Sequence, residues 1–170
     1  MTAKMKIPAP VVSKMSREQF VGVLGGVFEH SSWVADAAWE SRPFRNKEEV
    51  HRAMIEAVER SSEDAILALL RAHPDLGTRI SIGEYSTSEQ QGAGLDKLTP
   101  AEYERFDALN EQYVGKFGFP FILAVRGKTK ADILVSMTAR LGNDEQAEKR
   151  QALEEIKKIT GFRLADLLEP

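Results

Sequence analysis

Helix-start signals followed by apolar residues at helical spacing recur along nearly the whole chain, and this confines the fold more than any other feature. Ser16 with Gln19 has capping-box spacing, and Phe20, Leu24, Val27 and Phe28 follow at helical intervals. Asn46 with Glu49 repeats the signal ahead of Val50, Met54, Ala57 and Val58. Ser62 opens a shorter segment, with Ile66, Leu69 and Leu70, that stops before Pro74. Thr99, Pro100 and Glu102 combine cap, first-turn proline and box, and Gly118 and Pro120 close that helix. Thr129 with Asp132 and Asn143 with Gln146 open two more. The last carries Leu153, Ile156, Ile159 and Phe162.

One strand candidate stands against this, residues 119–125, and its proline argues against a central strand. A buried extended segment between helices explains it equally well. The expectation is an all-α fold: a single-domain bundle of seven to eight helices spanning 16–170, after a flexible N-terminal segment, 1–15. Residues 77–98 are rich in turn formers and poor in periodicity. They are expected to form one irregular active-site loop, since long loops in compact helical domains are often functional.

Composition then excludes function classes. The 170 residues hold 23 Lys and Arg against 26 Asp and Glu, and this net charge of -3 lacks the basic surplus of a nucleic-acid binder. There is no Cys, so disulfides, thiol nucleophiles and thiolate metal sites are excluded. No pair of His stands at metal-ligand spacing, and no metal is expected. The longest apolar runs fall far short of the ~20 residues of a membrane helix. Residues 1–10 lack the apolar core of a signal peptide. The expected location is cytoplasmic, with no membrane partner.

Three histidines are the default acid–base candidates. His30 and His51 read as solvated or helix-end residues. His73 differs: it lies in Ala72-His-Pro-Asp-Leu76, and Pro74 disfavours helix at the residue before it. A His fixed at a helix end beside an irregular loop is placed to face a pocket; a plain C-capping His is the equally open alternative. Ser86 and Glu89 also have capping spacing, and on local evidence a helix start explains them. A helix start also favours anions, which would set Glu89 and Gln90 at the mouth of such a site. Gly22-Val-Leu-Gly-Gly26 lacks the spacing and the preceding strand of a dinucleotide loop. Trp33, Trp39 and Phe44 read as core or lid aromatics.

Four stretches occur together in order: Phe28-Glu-His-Ser-Ser-Trp33, Ala72-His-Pro-Asp-Leu-Gly77, Ser86-Thr-Ser-Glu-Gln-Gln-Gly-Ala-Gly-Leu95 and Lys116-Phe-Gly-Phe-Pro-Phe-Ile-Leu-Ala-Val-Arg126. In this register the chain resembles the OHCU decarboxylases of purine breakdown, over about residues 20–168. The resemblance implies an all-α enzyme, usually a homodimer, that works without metal or organic cofactor. Its small-molecule substrate would be 2-oxo-4-hydroxy-4-carboxy-5-ureidoimidazoline and its product (S)-allantoin. His73 matches the catalytic histidine and Pro74 a substrate-contacting proline. Ser86, Thr87, Ser88, Glu89 and Gln90 match the substrate-binding segment, with Glu89 also catalytic. Phe121, Ile122, Leu123, Ala124 and Val125 match a segment that meets the ring largely through its backbone. Arg163 is the best match to a site arginine in the last helix, expected in the same pocket as His73 and Glu89; Arg140 and Arg150 are less well placed. A ligand sensor that keeps the pocket, and a hydrolase of a related ureido compound, are the competing functions.

Overall fold

The computed structural model describes residues 5–77 and 84–170. Nine α-helices lie among them: α1 (Ala9–Ser13), α2 (Arg17–Leu24), α3 (Trp33–Ala38), α4 (Lys47–Glu59), α5 (Glu63–Arg71), α6 (Glu84–Gly92), α7 (Pro100–Phe117), α8 (Lys130–Arg140) and α9 (Glu145–Leu167). The described residues contain no strand, and the one β pairing is an isolated parallel bridge, Ile7 to Leu168. The all-α expectation holds. The helix count exceeds it through α1 and α3, which are short and carry no side-chain cap.

The capping boxes at Ser16, Thr99 and Thr129 all form, each hydroxyl accepting the N3 N–H while the N3 side chain accepts the cap N–H. The Asn46 side chain accepts from Glu49 N at the start of α4. α9 starts one residue later than its signal suggested: Asp144, not Asn143, accepts from Ala147 N at 2.8 Å. The Asn amide and the Asp carboxylate each offer an acceptor oxygen at the same reach, so spacing alone does not choose between them.

Four expectations change. Ala9 and Val12, inside the segment read as flexible, are buried, and Ile7 exchanges backbone hydrogen bonds with Leu167 and Glu169. The stretch read as one long loop contains α6; residues 78–83 lie outside the described part. Helix is already present at Glu84, so Ser86 stands inside it and not at its cap; the Ser86 side chain also lies outside the described part. His51 is half-buried and hydrogen-bonded to Thr160 at 2.9 Å, so it is not a solvated residue, and burial lowers its pKa.

Two compact units are distinguishable, residues 1–69 with 157–170, and residues 70–156. The first packs α3 against α4 and buries Phe20, Leu24, Phe28, Phe44 and Met54. The rings of Phe20 and Phe44 stack there at 5.9 Å. The second is built on an aromatic cluster in which Tyr113 meets Phe117, Phe119 and Phe121 at 4.5, 5.9 and 5.4 Å. Gly118, in the left-handed region at φ 79°, ends α7 and turns the chain into the buried stretch 119–125. This stretch is irregular, as its proline required. No helix of the described residues is long and apolar enough to cross a membrane.

Candidate functional site

α5 stops at Arg71 because Pro74 follows, and the chain enters a tight turn at His73. His73 is buried, 7% exposed, and its N–H closes on the Leu70 carbonyl at 3.3 Å. The turn ends at Gly77, φ 73°, where an added Cβ would lie 3.0 Å from Leu98 and 3.1 Å from Phe106. The left-handed backbone angle favours glycine, and a Cβ would press on the Leu98 and Phe106 side chains.

Two side chains from separate helices hold this turn. Gln90 of α6, itself buried, accepts from Gly77 N at 3.1 Å and donates to the Asp75 carbonyl at 3.3 Å. Asn110 of α7 donates to the Leu76 carbonyl at 2.8 Å. A short turn has too few residues to satisfy its own amides, and an amide side chain supplies both donor and acceptor. The resemblance implied Gln90 as a ligand side chain; in the structure its amide gives one acceptor and one donor to the turn. Asn110 carried no signal beyond a polar residue on an apolar helix face. Glu89 and Thr87 are half-exposed on α6 and Ser88 is exposed, so the structure brings the Glu89–Gln90 pair to the His73 turn through Gln90. Pro74 is half-exposed. Asp75, half-buried, has its carboxyl pushed above the usual range by burial first and by the charge of Asp107 second.

Residues 121–125 are buried and are pinned at two backbone points. Arg140 Nη1 donates to the Ile122 carbonyl at 2.7 Å, and Ala124 N–H donates to Glu155 Oε1 at 3.0 Å. Arg140 is thus committed within this unit, with Glu148 as its counter-charge at 2.9 Å.

Arg163 belongs to the first unit. It is 1% exposed, donates to the Val27 carbonyl at 2.9 Å and pairs with buried Glu29 at 3.0 Å. Its head group is therefore held by protein groups and not by bulk water. Its neighbour Phe162 is the exposed residue instead, at 40%. Glu29 sits inside the Phe28–Trp33 motif, yet nothing local marked it as the partner of a residue 134 positions away. His30 is mostly exposed and adopts φ 44°. Among the described residues, no group of three or more His, Asp or Glu could hold a metal ion.

Comparisons with known proteins converge. The family model described as OHCU decarboxylase matches residues 13–165. The chain is 46% identical to the uric acid degradation bifunctional protein of Bacillus sp. strain TB-90 over 92% of this chain and 31% of that one, so it spans about a third of that relative. It is 43% identical to the 2-oxo-4-hydroxy-4-carboxy-5-ureidoimidazoline decarboxylase of Haloferax volcanii, covering 91% of this chain and 92% of that one. A crystal structure of OHCU decarboxylase in the presence of (S)-allantoin superposes with TM-score 0.72 at 25% identity, over 92% of this chain and all of that one. With a family model matched over most of its length and a relative of its own size at this identity, the chain belongs to the OHCU decarboxylase family.

Proposed function

We propose that this chain decarboxylates 2-oxo-4-hydroxy-4-carboxy-5-ureidoimidazoline to (S)-allantoin in urate degradation, with His73 as the proton donor. The observation that carries the reading is a buried imidazole in a turn held from two helices by Gln90 and Asn110. Such an imidazole has little freedom and can serve one face of a bound ring.

The bond from C4 to the carboxylate breaks, and its electron pair forms a C4=C5 double bond while the ring C5=N bond, conjugated with the C2 oxo group, takes up the displaced pair. CO2 leaves, the C4 hydroxyl becomes the ring carbonyl as its proton passes to the ring nitrogen, and His73, as its conjugate acid, delivers a proton to C5, the stereocentre of (S)-allantoin. The substrate carries its own electron sink, so no cofactor is assigned. Glu89 is proposed to hold the imidazole or the substrate hydroxyl. Pro74, Ser86, Thr87, Ser88 and Gln90 are proposed as substrate contacts. Residues 121–125 offer backbone groups to the ring and ureido oxygens. Arg163 is proposed to bind oxygens where charge grows, since gripping the leaving carboxylate would stabilise the ground state instead. A homodimer, as the resemblance implies, and a cytoplasmic location, as the sequence composition suggests, belong to the same proposal.

Incubation with freshly made urate-oxidase product, followed by circular dichroism, tests the activity. Fast appearance of chiral allantoin is the expected result. Allantoin formed only at the spontaneous rate and racemic, with ligand bound, would leave a sensor in its place; water incorporation would indicate a hydrolase.

A further inference from the structure

We propose that Arg140, with Glu148 as its counter-charge, is a positioning residue that fixes the backbone of residues 121–125 for substrate. The inference rests on the reading that this segment contacts the substrate. Arg140 is 8% exposed and Glu148 fully buried. Arg140 Nε donates to both carboxylate oxygens, at 2.9 and 3.1 Å, and the Tyr113 hydroxyl donates to the same carboxylate at 3.1 Å. Nη1 goes to the segment, donating to the Ile122 carbonyl at 2.7 Å, the guanidinium carbon lies over the Phe121 ring at 4.4 Å, and buried Nη2 has no hydrogen-bond partner among the described residues.

Burying an ion pair costs desolvation that its mutual attraction repays poorly, and well-packed apolar replacements of such pairs are often as stable. Stability alone therefore gives a weak reason for this one. The stretch it holds is irregular and has no helix or strand ladder to fix it. Two residues on, Glu155 takes the Ala124 N–H, with Gln151 holding its other oxygen at 2.9 Å. A cation on a carbonyl and a carboxylate on an N–H match each backbone dipole with the opposite charge. Pinning at 122 and 124 sets where the groups around Leu123 stand.

The test replaces the buried pair and its hydroxyl with apolar groups of similar size: Tyr113→Phe, Arg140→Met and Glu148→Leu combined. The expected protein stays folded, with a melting temperature lowered only as the Ile122 carbonyl loses its donor, yet its KM for fresh substrate rises about tenfold or more while kcat falls less, because the binding backbone has shifted and His73 has not. A purely structural pair predicts wild-type KM and kcat in the folded variant, and that result would overturn the proposal. Should the combined variant fail to fold, Arg140→Lys decides: it keeps the charge but loses the fork. A severalfold rise in KM supports the proposal, and an unchanged KM sinks it. A wild-type protein inactive on the substrate would instead overturn the functional reading beneath.

Discussion

Two stretches of backbone in the unit of residues 70–156 are held in place by opposite means. The turn at 73–77 is held by neutral amides, Gln90 on Gly77 N–H and the Asp75 carbonyl, and Asn110 on the Leu76 carbonyl. The stretch 121–125 is held by charges, Arg140 on Ile122 and Glu155 on Ala124. A charged tether makes the stronger hydrogen bond but carries a desolvation cost, offset for Arg140 by the buried counter-charge Glu148. A neutral tether needs none, and it leaves the charge state of its surroundings alone. That matters beside a proton donor, where each added charge would bias protonation. The stretch that is proposed to bind accepts charged tethers, and the turn that is proposed to transfer a proton has neutral ones.

The largest effect belongs to the proton donor itself. His73→Asn keeps a polar group of similar size in the turn, so the melting temperature should change little. Turnover should fall by roughly 10²–10⁴-fold, the usual loss with a general acid. Rates and thermal melts on the same preparation check this; a folded variant with near-normal turnover would remove His73 from the mechanism.

Arg163 extends the comparison to the other unit. Like Arg140, it is buried, paired with one carboxylate and bonded to one carbonyl. If it also contacts substrate, Arg163→Lys should lower kcat/KM by about 10–100-fold, the worth of a charge-assisted hydrogen bond of ~1.5–3 kcal/mol. Glu29→Gln serves as its companion, removing the counter-charge and leaving the guanidinium. A lysine variant that loses melting temperature but not kcat/KM would reduce Arg163 to a partner of Glu29.

Breaking the neutral tether is the next step down. Gln90→Leu leaves the Gly77 N–H and the Asp75 carbonyl without their partner, costing about 1–3 kcal/mol of stability for each buried group left unsatisfied. If the two tethers differ in task, this variant should lower kcat severalfold with KM held nearly constant. That is the reverse of the split expected from the Arg140 variants, and the same split from both would erase the distinction.

These tethers also mark what could be read from the residues in order. The caps at Ser16, Thr99 and Thr129 were legible because each depends on residues three apart, within one turn of helix. His73 was legible as a fixed helix end because Pro74 acts on its immediate neighbour. Arg163 on an apolar face had to be satisfied somehow, since an unpaired buried charge is costly, but its partner Glu29 could not be named. Gln90 with Gly77, and Arg140 with Ile122, join residues 13 and 18 apart through folding of the chain back on itself, for which spacing holds no signal. The resemblance marked Gln90 as a ligand residue and thereby hid its bonds to the turn. Asn143 and Asp144 show the complementary limit, a correct signal with its register left open.

The smallest effect concerns Asp75, whose own carbonyl is in the neutral tether while its carboxyl is not. Burial and the charge of Asp107 raise its folded pKa above that of the unfolded chain. The folded state therefore binds the proton more readily than the unfolded state. The stability this confers is fully present below the unfolded carboxylate pKa, near ~4, and is lost as pH rises through the raised value. At neutral pH the ionised carboxyl is a net cost, softened by solvent because the group is only half-buried. Asp75→Asn removes that cost with little change in shape, so its melting temperature at pH 7 should exceed that of the parent by about 1–2 °C. Melting curves from pH 7 downward should show the gap closing as the parent's carboxyl takes up its proton. A gap that stays constant with pH would mean that the substitution acts through packing of the turn and not through charge, and the turn beside His73 would then be free of electrostatic cost altogether.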